Sequence, residues 1–367
     1  MTTKAPVKTI EQDVLQPDVR TDMMTAAVLH GREDVRIERV PVPRIAEDEA
    51  LVRVGVALTD GTDFKVWKQG FHARMIRPPA LFGHELAGTV AEVGSAVGAK
   101  VFPGQRVVPA NSAPCNTCFH CRKGQPNLCE DLLFNNGAYA EYIRIPGRIV
   151  RENMLEIPNG VSFEDAALTE PLACVLRGIH ETGIHPGDTV AVIGCGPIGL
   201  KFIRILSRRK VHVIAIGKRR SQMEAAERMG AMSALDAAEL NNPVERVRAL
   251  TEGARGADAV IEAAGQPTTW EWALQMVRKG GTVNLFAGCA KGTEVKVDPW
   301  ALHYSEITVK STFHHTPRFM REALEAIGRG EIRAADLITG RAPLAELPKV
   351  FEHMKNRNGQ LKTAVLP

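Results

Sequence analysis

The stretch DTVAVIGCGPIGLKFIRILSRR, Asp188 to Arg209, restricts the possible folds more than any other. A short run of Val, Ala and Ile ends in Gly194, Gly196 and Gly199, spaced G-x-G-x-x-G, and a helical pattern follows at once. Strand, glycine turn and helix in that order form the first half of a βαβ unit. The glycines permit a tight turn and let backbone N–H groups approach a pyrophosphate at the helix N-terminus, where Pro197 and Ile198 lie. The competing reading is a glycine-rich turn that merely joins two packed elements.

The alternation continues downstream. VHVIAIG, DAVIEAAG and GTVNLFAG read as buried strands, while SQMEAAERMGA and WEWALQMVRKG read as helices. Strands alternating with helices predict a doubly wound parallel sheet of Rossmann type over residues 175–311. The texture before it differs. AAVLHG, DVRIERVPVP, EALVRVGVAL, ELAGTVAEVGSAV, GQRVVP and AEYIRIP are short β-rich runs broken by Gly and Pro, which predicts a barrel-like β domain. After about Ser311 a helix-rich tail ends in a last strand, LKTAVLP. Residues 1–24 read as a polar extension, ordered against a neighbouring subunit.

The second strand of the βαβ unit bears on the dinucleotide. An NAD site usually ends that strand with an acid that accepts from the ribose hydroxyls. Here Gly217 stands in its place, followed by Lys218, Arg219 and Arg220. The missing carboxylate and the added bases both favour a 2′-phosphate, hence NADP over NAD. A solvated basic turn is the plainer alternative.

Four of the seven cysteines, Cys115, Cys118, Cys121 and Cys129, form C-x2-C-x2-C-x7-C. The spacing suits a closed tetrahedral zinc site that folds its lobe, with an iron–sulfur cluster and loose thiols as competing readings. The formal charge of +4 on 367 residues, with scattered bases, speaks against nucleic acid as a partner. No apolar run reaches the ~18 residues of a membrane span, and the N-terminus lacks a signal-peptide core. A cytoplasmic location is the expectation.

Together these features resemble the zinc-containing medium-chain dehydrogenase/reductase family, in its sorbitol, threonine and glucose dehydrogenase-like branch. GTDFKVW, FGHELAGTV, the four-cysteine lobe, TEPLACVLRGI, VIGCGPIG and LITGRAPLAELPKVFE carry the resemblance, in family order and over nearly the whole chain from residue 25. It implies a GroES-like catalytic domain split between residues 25–174, with a zinc lobe at 111–133, and residues 312–367, around the central Rossmann domain. The implied cofactors are one catalytic zinc, one structural zinc and NADP, with NAD as the alternative. The implied reaction is hydride transfer between an alcohol carbon and nicotinamide.

Carried over by position, the implied catalytic metal ligands are Asp60, His84 and Glu85, with Glu170 of TEPL as an exchangeable ligand. Thr62 matches a hydroxyl that passes the substrate proton towards solvent. Asp60 departs from the expected cysteine, although relatives resembling glucose dehydrogenases also carry aspartate there. Zinc accepts carboxylate, and the exchange keeps the ligand charge while making the site harder, with weaker selection for zinc. A secondary alcohol, polyol or sugar is the expected substrate, and a homodimer or homotetramer the expected assembly. Trp67, Phe134 and Asn135–Gly137 are candidate pocket residues; Lys65, His314 and His315 stand outside the ligand frame. The rival readings are a zinc-free NADPH reductase of activated double bonds and a catalytically silent dinucleotide-binding relative.

Overall fold

The computed structural model describes residues 22–72, 74–356 and 360–367, so the expected extension lies almost wholly outside the described residues. The chain divides into two compact units. One takes in residues to Glu170, His315–Arg329 and Ile338–Pro367; the other comprises Pro171–His314 and Gly330–Leu337.

The first unit is the β-rich one. Its main sheet runs in the order Met154–Glu156, Arg106–Pro109, Glu85–Val93, Ala50–Leu58, Lys362–Leu366 and Ile338–Pro343, and Tyr142–Ile145 also pairs with Ala50–Leu58. A second sheet joins Asp34–Pro41, Met23–Gly31 and Ala80–Leu81. Ala50–Leu58 is buried along nearly its whole length because it lies between strands within the sheet. Core packing centres on aromatic rings: Trp67 stacks on Phe351 at 5.6 Å, and Phe82 meets Tyr139 edge-on at 5.1 Å. Trp67, expected near a pocket, is thus a core residue, since its large ring gains most by burial.

Two local features of this unit differ from the sequence reading. GTDFKVWKQ forms a helix, Gly61–Gln69, capped by Asp60 at its start and by Gly70 in the left-handed conformation at its end. The tail contains a strand as well as helices: Ile338–Pro343 pairs in parallel with Lys362–Leu366. Its TGRAP run lacks apolar alternation, so pairing with the last strand decides its form.

The second unit is a six-stranded parallel sheet. Its strands are β1 (Thr189–Ile193), β2 (His212–Gly217), β3 (Ser233–Asp236), β4 (Ala257–Glu262), β5 (Val277–Leu285) and β6 (Thr308–Lys310). The order β3-β2-β1-β4-β5-β6 is that of a doubly wound dinucleotide fold. Helices α1 (Pro197–Arg208), α2 (Arg220–Arg228), α3 (Pro243–Ala249), α4 (Pro267–Met276) and α5 (Pro299–Tyr304) connect them. The central strands are apolar throughout, as expected of strands in a parallel sheet covered on both faces. WEWALQMVRKG is not helical to its end: α4 stops at Met276, and Val277 pairs with Ala257.

The turn from β1 to α1 depends on its glycines. Gly194 has φ +100°, and a Cβ on Gly199 would lie 1.7 Å from the Gly194 carbonyl oxygen. No flexible side chain is available to yield there, because the obstacle is backbone. Gly199→Ala should therefore destabilise the protein by about 1–3 kcal/mol through overpacking. Denaturant unfolding measures this, and an unchanged midpoint would contradict the proposed packing of the turn.

Candidate functional site

The candidate site lies in the β-rich unit, where sequence-distant acids converge. Asp60 follows the strand Ala50–Leu58 and caps the next helix, its Oδ2 accepting from the Thr62 N–H at 2.6 Å. Capping this helix leaves the second Asp60 oxygen available, so the cap and ligand roles are compatible. His84 and Glu85 lie at the start of the strand Glu85–Val93, and Glu170 in the first turn of the helix Thr169–Thr182. One ligand atom each from Asp60, His84 and Glu85 lies within 4.8 Å of the others.

Behind His84 stands a chain of hydrogen bonds. Asp63, one turn after Asp60, places Oδ1 2.8 Å from His84 Nδ1, and its Oδ2 accepts from the Tyr139 hydroxyl at 2.7 Å. Burial, with the Asp63 charge adding to it, raises the Tyr139 phenol well above its usual range, so it stays a donor. An ionised carboxylate can only accept, so Nδ1 carries the imidazole proton and Nε2 is left as the coordinating nitrogen. Nε2 is 3.8 Å from Asp60 Oδ2.

Beneath Glu85 lies Lys362, at 1% exposure, from the last strand. Its Nζ donates to both Glu85 oxygens at 2.6 and 2.8 Å and to the Thr59 carbonyl at 2.8 Å, and it lies 3.8 Å from Asp60 Oδ1. Burial works against the ammonium, but Glu85 and Asp60 raise its pKa above the ordinary value. Burial likewise works against the Asp60 carboxylate, yet Lys362, His84 and the Thr62 N–H hold it well below its usual range.

Charge then decides what the site can hold. Four acids, Asp60, Asp63, Glu85 and Glu170, lie around the Lys362 ammonium and the imidazoles of His84 and His315. Burial favours the neutral imidazole, but Asp63, Glu170 and Asp60 raise the His84 pKa well above the ordinary value. Without a metal, this environment therefore favours a positive charge on the His84 ring. Zinc bonds of about 2.0–2.2 Å place tetrahedral neighbours roughly 3.4 Å apart, close to the separation of Asp60 and His84. The residues fit a divalent cation.

The cysteine lobe fits one as well. The four Sγ atoms of Cys115, Cys118, Cys121 and Cys129 lie within 4.8 Å of one another, and no disulfide links them. Cys118 and Cys129 Sγ are 3.8 Å apart, the edge of a tetrahedron with Zn–S bonds of about 2.3 Å. Backbone N–H groups of Cys118 and Cys115 point at the sulfurs of Cys115 and Cys129. Burial opposes the Cys115 thiolate, but Thr117 and the Cys118 N–H outweigh it and lower its pKa to about 6.

Sequence reasoning missed Asp63, Tyr139 and Lys362. Asp63 carried a signal, its spacing of three from Asp60 within a helix. Lys362 carried one too, as a charge inside the buried run LKTAVLP. His315, left outside the ligand frame, is buried with Nε2 2.8 Å from Asn111 Oδ1 and 3.8 Å from Glu170 Oε1. Lys65 is exposed.

In the second unit, Gly194, Gly196, Pro197, Ile198 and Gly199 form the turn at the C-terminal end of β1. Gly217 ends β2 beside it; a Cβ there would lie 3.4 Å from Cys195 Sγ. Lys218 is exposed, and Arg219 is the N-cap residue of α2.

Residues 46–158 match the family described as alcohol dehydrogenase GroES-like domain, and residues 197–329 the one described as zinc-binding dehydrogenase. Sorbitol dehydrogenase of Bacillus subtilis is 30% identical, over 94% of this chain and 97% of its own length. L-threonine 3-dehydrogenase of Bacillus licheniformis is 32% identical, over 92% and 96%. A zinc-binding dehydrogenase of Sinorhizobium meliloti 1021, solved with NADP bound, superposes with a TM-score of 0.86 at 30% identity, covering 95% of this chain and 100% of that one. Among the described residues, no helix is long and apolar enough to cross a membrane.

The buried pair yields a stability prediction. Lys362→Met strips Glu85 of its ammonium and should cost about 3–5 kcal/mol in denaturant unfolding of the metal-free protein. Adding Glu85→Leu should recover much of that loss, because both charges are then gone. A single variant as stable as the wild type would refute the assignment of Lys362 as the counter-charge.

Proposed function

The chain belongs to the zinc-type medium-chain alcohol dehydrogenase family, and on that basis we propose a zinc-dependent oxidation of a secondary alcohol, polyol or sugar with NADP as hydride acceptor. Alcohol dehydrogenase chemistry and a nicotinamide cofactor come with the family; the substrate class, the preference for NADP and two zincs per chain are our reading. The observation that carries it is the buried excess of acids around His84 Nε2.

When bound, zinc supplies a Lewis acid that lowers the pKa of the alcohol, and nicotinamide supplies the hydride acceptor. Asp60, His84 and Glu170 would hold the metal. Glu85, with a ligand atom within 4.8 Å of those of Asp60 and His84, would join them, because a carboxylate oxygen that accepts from Lys362 keeps a further lone pair. Asp63 fixes the His84 ring through Nδ1, so that Nε2 faces the metal position. Thr62, whose N–H anchors Asp60, would take the alcohol proton at Oγ1 and pass it to solvent. Cys115, Cys118, Cys121 and Cys129 would hold the second zinc and fold their lobe.

For the dinucleotide, Gly194 to Gly199 would receive the pyrophosphate at the start of α1. Gly217 contributes no carboxylate, and Lys218 and Arg219 supply the positive charge that would meet a 2′-phosphate. The NADP bound to the Sinorhizobium relative supports this choice. A homo-oligomer is also proposed. Strand β6 is the edge of its sheet with Val309 exposed, and Trp300 and Tyr304 are 68% and 63% exposed on α5. A cytoplasmic location remains part of the reading.

Two measurements test it. Elemental analysis should find close to two zincs per chain by the site count, falling to about one in Asp60→Ala as the catalytic metal is lost. One zinc in both proteins, with no alcohol oxidation after zinc is added back, would leave the catalytic site as a relic. Lys218→Ala should raise the KM for NADP roughly tenfold, the loss of one charge-assisted hydrogen bond, and leave that for NAD almost unchanged. Equal effects on both dinucleotides would reverse the assignment.

A further inference from the structure

Glu262 lies outside all of these roles, yet it is the most completely enclosed acid of the second unit, with 0% exposure. It ends β4, directly beside Ile193, the last residue of β1. Strands β1 and β4 flank the point where strand order reverses, and a ligand of such a sheet binds in the crevice beyond their C-terminal ends. The glycine turn forms one lip of that crevice, and the β4–α4 turn, Ala263 to Gln266, forms the other.

The Glu262 carboxyl organises the second lip. Its Oε1 accepts from the N–H groups of Ala264 and Gly265, each at 2.8 Å, and from the Thr269 hydroxyl at 2.7 Å. The Glu262 backbone carbonyl accepts from Phe286 and Ala287 at 3.0 Å, and the Trp270 indole donates to the Ala287 carbonyl at 3.1 Å. The two lips touch: a Cβ on Gly194 would lie 3.0 Å from Ala263 C and Ala264 N. A displacement of Ala264 therefore alters the space around the first glycine of the turn.

We propose that Glu262 is a positioning residue for the dinucleotide, holding the Ala263–Gln266 lip against the glycine turn through its single oxygen Oε1. The proposal rests on the dinucleotide reading above. Oε2 is buried with no hydrogen-bond partner among the described residues, an arrangement that suits a neutral acid better than a carboxylate. Burial raises the Glu262 carboxyl above the ordinary range, against the pull of Thr269, Gly265 and Ala264. A neutral acid also places no negative charge beneath the bound phosphates. Glutamine has nearly the same shape and keeps the accepting oxygen, so it can substitute; alanine cannot.

The test measures dinucleotide Kd by Trp fluorescence, with steady-state kinetics, on the full-length wild type, Glu262→Gln, Glu262→Ala and Thr269→Val. Glu262→Ala should raise the Kd and KM for the dinucleotide about tenfold or more, leaving kcat and the KM for alcohol within roughly threefold. Glu262→Gln should stay within about threefold of wild type, because its oxygen makes the same contacts. An alanine variant that binds dinucleotide like wild type, or a glutamine variant as impaired as alanine, overturns the proposal. If Glu262→Ala does not fold, Thr269→Val decides: a raised Kd at unchanged kcat supports the role, and an unchanged Kd refutes it. A wild type that binds neither NADP nor NAD refutes the dinucleotide reading itself, which separates that failure from a failure of Glu262 alone.

Discussion

One buried ammonium, that of Lys362, makes the rest of the proposed metal centre possible. Asp60, Asp63, Glu85 and Glu170 share a small volume with few other cations, an arrangement too repulsive to persist without a counter-charge. Lys362 takes up both oxygens of Glu85 and still lies within 3.8 Å of Asp60. The site is left short of positive charge at one place, around His84 Nε2, and a divalent ion is the species that best relieves it. Metal affinity in this protein is therefore a property of the whole charge set. Replacing a soft thiolate by Asp60 alters the hardness of the donors without altering that sum.

The dinucleotide unit applies the opposite principle. It relies on backbone turns at the ends of parallel strands instead of a cluster of side-chain charges. Its one enclosed acid, Glu262, meets amide and hydroxyl donors at a single oxygen and no cation among the described residues. The same residue type thus takes two forms in one chain. Glu85 has both oxygens on an ammonium; Glu262 has none, and burial pushes it towards its neutral form. Environment, more than residue identity, assigns the chemistry.

Much of this was legible in the residues. The G-x-G-x-x-G turn, the βα alternation and the four-cysteine spacing depend on local chemistry and read directly. The Asp60, His84 and Glu85 cluster was legible only through a family resemblance, because residues from separate strands carry no joint local signal. The partners that orient and neutralise that cluster were not legible. Asp63 and Tyr139 carry no local mark of their roles, and Lys362 reads as one charge in a terminal strand. The strand Ile338–Pro343 was missed for a related reason: its form is imposed by the neighbour it pairs with. What escapes a reading of sequence here is tertiary neutralisation, which depends on which strands become adjacent.

The pairing of Glu85 with Lys362 spans 277 residues of chain, and the entire dinucleotide unit falls between them. Closing so long a loop is entropically slow, and a growing chain presents its acids well before their counter-ion is made. All residues of the second unit precede the final strand, so the parallel sheet can be complete in sequence while the acids of the first unit still lack Lys362. A chain interrupted just before that strand would keep a competent dinucleotide fold beside an unfinished catalytic one, a species that cellular proteases could recognise by its loose β-rich half.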